Sequence, residues 1–145
     1  MIALIQRVSQ ANVSVNQKVI GEIKQGILVL LAIEPEDTNA KAKRLAERVA
    51  GYRIFEDDTR KMNLNVKQIK GEILVVSQFT LAADTNSGMR PSFTTAAKPE
   101  VSIPLYHCFC KQLREYGFTV PTGEFGADMK VALVNEGPVT FTLTC

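Results

Sequence analysis

Ile27-Leu28-Val29-Leu30-Leu31-Ala32-Ile33 decides the architecture: seven apolar residues follow one another without a polar break. A segment apolar on both faces suits the middle of a sheet, covered on each side. Upstream, residues 2–15 have strand character and alternate most sharply at Val13-Ser14-Val15. Asn16-Gln17-Lys18 offers a short turn and Val19 to Ile23 a return strand, so the chain is predicted to open with a hairpin. Downstream, Pro35 and its acidic neighbours end the central strand. Thr38 or Asn39 then caps a helix whose apolar positions Ala42, Leu45, Ala46, Val49 and Tyr52 keep the three-and-four spacing.

Past that helix, Ile54-Phe55 is short and extended, Asp57 to Lys61 is a polar loop, and 63–70 follows no clear pattern. Glu72-Ile73-Leu74-Val75-Val76-Ser77-Gln78-Phe79-Thr80-Leu81 predicts a second strong strand. The segment from Ala82 to Ala97 reads as a long ordered loop, of a length that in compact domains is often functional. A helix is predicted from about Val101 through Leu105, Phe109, Leu113 and Tyr116 to its stop at Gly117, with Pro104 placing its regular start nearby. Two last strands, 129–134 and 139–144, flank Asn135-Glu136-Gly137-Pro138. A Gly-Pro step there is either a hairpin turn or a specialised backbone feature, because proline donates no ladder bond and glycine opens angles closed to other residues. The order β-β-β-α-β, loop, α, β-β predicts one α+β domain over 1–145. Its mainly antiparallel sheet curls toward a barrel with two flanking helices.

At 145 residues the chain has the size of one domain, able to bury roughly two-thirds of its unfolded surface. Cys108, Cys110 and Cys145 are odd in number, and the first two point to opposite sides of a helix, so they read as reduced thiols. The opening residues lack the basic start and long apolar run of a signal peptide, and no segment is long enough to cross a bilayer. The expectation is a cytoplasmic protein with no membrane partner. Net charge is +2, yet nine of the 17 basic residues fall between Lys41 and Lys70. That surplus is either a solvated surface or a means of steering a polyanion.

Most catalytic constellations cannot be assembled from these residues. His107 is the only histidine, which leaves no two-histidine metal site and no serine triad with spare partners. No glycine-rich loop leads from a strand into a phosphate-binding helix. What remains is the hydroxyl and amide cluster Ser77-Gln78-Phe79-Thr80. A regular strand would split it, with Ser77 and Phe79 on one face and Gln78 and Thr80 on the other. A site here therefore requires a strand end or bulge, where freed backbone N–H groups can meet a developing oxyanion.

Four segments in order, 77–81 (Ser-Gln-Phe-Thr-Leu), 88–93 (Gly-Met-Arg-Pro-Ser-Phe), 123–129 (Gly-Glu-Phe-Gly-Ala-Asp-Met) and 135–140 (Asn-Glu-Gly-Pro-Val-Thr), closely resemble the D-aminoacyl-tRNA deacylase family. The opening 1–15, with Arg7, and the length match as well, so the resemblance covers essentially the whole chain. It implies a homodimer that hydrolyses the ester between a D-amino acid, or glycine, and the terminal adenosine of tRNA, a proofreading step in translation. It implies no cofactor and no metal. Gly137-Pro138 matches a cis element that reaches into the partner subunit's site and rejects L-amino acids, and Arg7 matches the position that braces it. Ser77, Gln78, Phe79 and Thr80 become the catalytic candidates. Gly88, Arg90, Pro91, Phe125, Ala127, Met129 and Asn135 become candidates for the adenosine and substrate rim.

Thr80 is the one obvious nucleophile in its motif, but no base is visible to activate it, and a purely positioning role stays open. Three rival functions also stay open. They are a dimeric RNA-binding module without catalysis, a related deacylase acting on mischarged L-alanine, and a hydrolase of small esters. Phe79 and Asn135 in their motifs favour the D-selective branch.

Overall fold

The computed structural model describes residues 1–145, and two long strands frame it. β1 (Ile2–Val15) runs the length of the sheet, and β7 (Lys130–Thr144) pairs with it antiparallel from Ile2↔Thr144 to Ser14↔Lys130. Along its other edge β1 meets first β3 (Gly26–Ala32) and then β2 (Lys18–Ile23), both antiparallel. β6 (Glu72–Ser77) joins β3 in parallel, from Gly26↔Glu72 to Leu31↔Ser77. The result is a curled half-barrel, and Ile27 to Leu31 lies in its middle as the apolar run requires.

Local chemistry explains the joints. Asn16 (φ 50°) and Gln17 (φ 65°) both take the left-handed conformation, the two-residue turn whose twist matches flanking strands. Gly26 opens β3 where a Cβ would sit 2.0 Å from the Glu72 carbonyl oxygen, so only glycine lets β3 and β6 approach there. Between the central strands, α1 (Asn39–Gly51) begins at Thr38, whose hydroxyl accepts from the Lys41 N–H at 3.3 Å. It buries Ala42, Leu45, Ala46 and Val49 in the main core. Each fully buried Leu or Val of that stripe contributes about 1.5–3 kcal/mol. A small ribbon, β4 (Phe55–Glu56) with β5 (Met62–Leu64), follows, and 65–70 forms turns. α2 (Pro99–Glu115) packs against α1 and buries Leu105, Tyr106, Phe109, Cys110 and Leu113.

Three expectations change. The strand from Glu72 stops at Ser77, and Phe79–Ala82 is a 3-10 turn. α2 begins at Pro99, not near Pro104; proline suits a first helical position, and Pro104 sits inside the helix on its exposed side. The two final strands are one, since β7 continues through Gly137-Pro138 and no hairpin forms there.

Candidate active site

Ser77 ends β6, and the chain turns at once. Gln78 still donates its N–H to the Leu31 carbonyl at 2.8 Å, then Leu81 and Ala83 fold back onto the carbonyls of Gln78 and Thr80 at 3.1 and 3.2 Å. The side-chain amide of Gln78 donates to the Thr80 hydroxyl. The turn thus gathers residues that alternation would have separated. The N–H groups of Phe79 and Thr80 open it, and the start of a helical turn has no acceptor for such donors within itself.

Two hollows meet at this strand end. A narrow, partly open slot of about 60 Å³ lies among Leu31, Ile33, Ser77, Phe79, Ser102 and Phe125. An open hollow of about 240 Å³ adjoins it, bounded by Val76, Gln78, Ala127, Met129 and Val131 and sharing Ser77, Phe79 and Gly126 with the slot. None of these lining side chains is ionisable, so any chemistry here draws on hydroxyls, amides and backbone dipoles. The floor is fixed from behind. Segment 119–123 bonds the edge of β6, with Gly123 N–H donating to the Val75 carbonyl at 3.0 Å. The Tyr106 hydroxyl donates to the same carbonyl at 2.9 Å and stands edge-on to Phe125, at 6.0 Å between ring centres. Burial pushes that hydroxyl's pKa well above the ordinary phenol value, so it stays a donor.

The loop over 83–97 arches beside the hollow. Asp84 and Ser92 exchange backbone bonds at 2.8 and 3.0 Å, and the Ala97 N–H donates to the Ile33 carbonyl at 3.0 Å. Phe93 lies against Phe79 with ring centres 5.1 Å apart. Both rings remain substantially exposed, and Met89 at the loop tip is fully so. Gly88 takes φ 72° at that tip, which carries Arg90 and Pro91 outward. Of the residues singled out in the sequence, Ser77, Gln78, Phe79, Ala127 and Met129 therefore line the open hollow and Phe125 the slot beside it, with Thr80 in the adjoining turn. Gly88, Arg90 and Pro91 ride on the exposed loop above it.

Gly137, Pro138, Arg7 and Asn135 stand elsewhere. β1 pairs Gln6 with Thr140 and Val8 with Asn135, so β7 spends three extra residues in a bulge at the middle of the ladder. The Gly137–Pro138 peptide in it is cis, and Gly137 takes φ 131°. Asn135 ties the bulge shut, its side-chain Oδ1 accepting from the Val139 N–H at 3.1 Å and its Nδ2 donating to the Thr140 hydroxyl at 3.0 Å. Beneath it lies Arg7, which is only 8 % exposed. Its Nε donates to the Glu136 carbonyl at 3.0 Å and one terminal nitrogen donates to the Ile54 carbonyl at 2.9 Å, with Glu56 at 4.0 Å.

The curl of the sheet brings the start of β7 over the end of β6, so that Val131 lines the hollow with Ser77. The bulge lies further along the same strand, level with Arg7. From Val131 to Gly137 is six residues of β7, roughly 20 Å of extended chain.

Comparison with known proteins now bears on this geometry. The model of the family described as D-Tyr-tRNA(Tyr) deacylase matches residues 4–144. The chain belongs to the D-Tyr-tRNA(Tyr) deacylase family. It is accordingly an enzyme, an ester hydrolase. A protein of Colwellia psychrerythraea (strain 34H / ATCC BAA-681) named D-aminoacyl-tRNA deacylase is 76% identical over 144 residues, covering 99% of both chains. One of the same name from Pectobacterium carotovorum subsp. carotovorum (strain PC1) is 62% identical over 143 residues, again covering 99% of both. Among solved structures, one titled "c-Myc DNA Unwinding Element Binding Protein" superposes with TM-score 0.94 at 38% identity, covering 100% of this chain and 99% of that one. A structure titled as a probable eukaryotic D-amino acid tRNA deacylase shares the fold, with TM-score 0.86 at 18% identity, covering 99% of this chain and 98% of that one.

Several residues of the deacylase that matter to the hollow were not singled out from the sequence. Ser102 lies in step with Leu105 and Phe109 on the buried face of α2, a spacing that marked it as inward-facing. Leu31 and Ile33 end the central run. Ile54 serves the bulge instead, its carbonyl accepting from Arg7, a role for which a side-chain pattern carries no signal. No helix is long and apolar enough to cross a membrane, and no group of three or more His, Cys, Asp or Glu side chains converges.

Proposed function

We propose that the protein removes D-amino acids, and glycine, from tRNA by hydrolysing the ester to the terminal adenosine, and that each site is completed by a second copy of the chain. The observation that carries this reading is the separation of the braced Gly137–Pro138 bulge from the Ser77–Phe79 hollow. Roughly 20 Å of β7 separates Val131 at the hollow's edge from Gly137 in one chain, so a bulge that serves the hollow comes from a partner, and a twofold pair supplies one to each site.

In this reading the adenosine occupies the hollow bounded by Ala127 and Met129 and the slot beside it at Phe125, with the loop carrying Gly88, Arg90 and Pro91 as its rim. The acyl group extends toward the partner's bulge. Carbonyls of Gly137 and Pro138 accept from the substrate amino group, and backbone at that distance leaves no room for a side chain in the L arrangement. A D side chain points outward to solvent, which admits many kinds. Glycine has nothing to clash and passes. Discrimination by exclusion needs no pocket for each amino acid. An aminoacyl ester is already activated, so orientation together with the Phe79 and Thr80 N–H groups on the carbonyl oxygen supplies the main acceleration. Thr80 serves as a positioning residue, its hydroxyl held by Gln78 and no base lying among the lining side chains.

The test is hydrolysis of D-Tyr-tRNA, L-Tyr-tRNA and Gly-tRNA under one set of conditions. The reading expects rapid loss of D-tyrosine and glycine with L-tyrosine retained. Hydrolysis of both mirror forms at similar rates, or of neither, defeats it.

A further inference from the structure

We propose that the cleft between α1 and α2 is a second binding site, which takes phosphates of the RNA strand leading away from the terminal adenosine; this rests on the deacylase reading. The cleft has a volume of about 540 Å³, and only one of its nine lining residues is hydrophobic. Lys43, His107, Lys111 and Arg114 line it, with Asn39 at the start of α1 and Glu115 as the one acid. Charge is not balanced there. Glu115 lies 3.8 Å from Lys111, both largely exposed. Arg114 is held by the Val120 carbonyl at 2.8 Å, which fixes its direction without neutralising it. Lys43 has no ion-pair partner, unlike its neighbours Lys41, paired with Asp37, and Arg44, paired with Glu47. Three cations against one carboxylate leave a polar cleft with a surplus of two positive charges, the complement of a phosphodiester backbone rather than of an apolar or acidic surface.

Position selects which phosphates. α2 links the two sites directly, since Ser102 lines the slot beside Phe79 and Lys111 lies in the cleft. Nine residues of helix separate them, about 13.5 Å along the axis and half a turn around it. Stacked nucleotides advance about 3.4 Å each, so the strand leaving an adenosine in the hollow reaches the cleft no sooner than roughly four positions upstream. His107 lies exposed on the same helix, at the end of the cleft nearer the hollow. Of the basic run seen in the sequence, this accounts for Lys43 alone. The other cations come from α2, brought there by helix packing.

The decisive variant is Lys43→Ala/Lys111→Ala, both exposed positions, against a charge-matched control, Lys18→Ala/Lys61→Ala. Uncharged tRNA labelled at its 5′ end is titrated by fluorescence anisotropy over a range of salt, and hydrolysis of D-Tyr-tRNA is compared with that of D-tyrosyl-adenosine. The expectation is tRNA affinity lowered about tenfold or more, and a log–log salt slope shallower by about 1.4, for two single-strand contacts. Hydrolysis of D-tyrosyl-adenosine stays unchanged. Affinity unaltered by the double substitution, lowered equally by the control pair, or absent from the unsubstituted protein overturns the inference. Should the unsubstituted protein bind tRNA through Lys43 and Lys111 yet hydrolyse neither ester, the deacylase reading fails and the cleft stands.

Discussion

Replacing Arg7 with methionine keeps the apolar stem and removes the fork that holds the bulge. Two charged donors are lost, one to Glu136 at 3.0 Å and one to Ile54 at 2.9 Å. Hydrogen bonds from charged groups contribute about 1.5–3 kcal/mol each. The two losses are not equal, because Glu136 is exposed and water replaces the missing donor, whereas the Ile54 residue is buried. A total of about 2–4 kcal/mol follows, most of it from the Ile54 side. For a domain of this size about 3–4 °C accompanies each kcal/mol, so Tm should fall by about 6–16 °C. The functional effect should be larger in proportion. A bulge displaced by about 1 Å no longer meets the amino group, and such misplacement costs about 10²-fold in rate. Thermal unfolding by circular dichroism reads the first effect, and kcat/KM for D-Tyr-tRNA and L-Tyr-tRNA reads the second. Arg7→Lys should fall between, since an ammonium reaches only one of the two carbonyls well. Arg7→Met melting like the unsubstituted protein, with its preference for D over L intact, refutes the bracing argument.

Other substitutions probe separate steps. Gly137→Ala places a Cβ 2.6 Å from a Val139 methyl and 3.0 Å from the Arg7 guanidinium, at φ 131°; a cost of about 1–3 kcal/mol and loss of D-specific turnover are expected, by denaturant titration and steady-state kinetics. Thr80→Ala should keep turnover within about tenfold, because positioning by one hydroxyl is all it removes; a loss near 10⁴-fold instead makes Thr80 a nucleophile. Burial pushes the Cys110 thiol up to about 11. A raised pKa keeps it protonated, so at pH 8 about one molecule in a thousand carries the thiolate. In a thiol-reagent time course the partly exposed Cys108 and Cys145 should react first, with Cys110 following only on unfolding; three equal rates contradict this.

The sheet was legible because its central residues leave no alternative. An apolar run over Ile27 to Ile33 cannot tolerate an exposed face, and the stripe from Ala42 to Val49 needs a core to cover it. The end of β6 was not legible. Gln78-Phe79-Thr80-Leu81 keeps strand alternation, and what bends it is long-range, with the Leu31 carbonyl on one side and the Phe93 ring on the other. The start of α2 was marked by Pro99, a favoured first residue, but Pro104 concealed it. Gly137-Pro138 was readable as unusual, yet a bulge and a hairpin share the same local sequence. Pairing with β1 on both sides decides between them, and that depends on residues about 130 positions away. The candidate hollow followed the same rule. Its side chains lay in recognisable motifs, whereas the carbonyls that hold Arg7 had no side-chain signature.

Mixing two defective chains tests the shared site most directly. Ser77→Phe blocks the slot of about 60 Å³ in its own subunit and leaves its bulge intact. Arg7→Met does the reverse. Co-refolded at equal amounts and assayed on D-Tyr-tRNA, the mixture should regain about a quarter of full activity, since half the pairs are mixed and each mixed pair holds one intact site of two. Activity no greater than the average of the two separate variants contradicts a site built across two subunits.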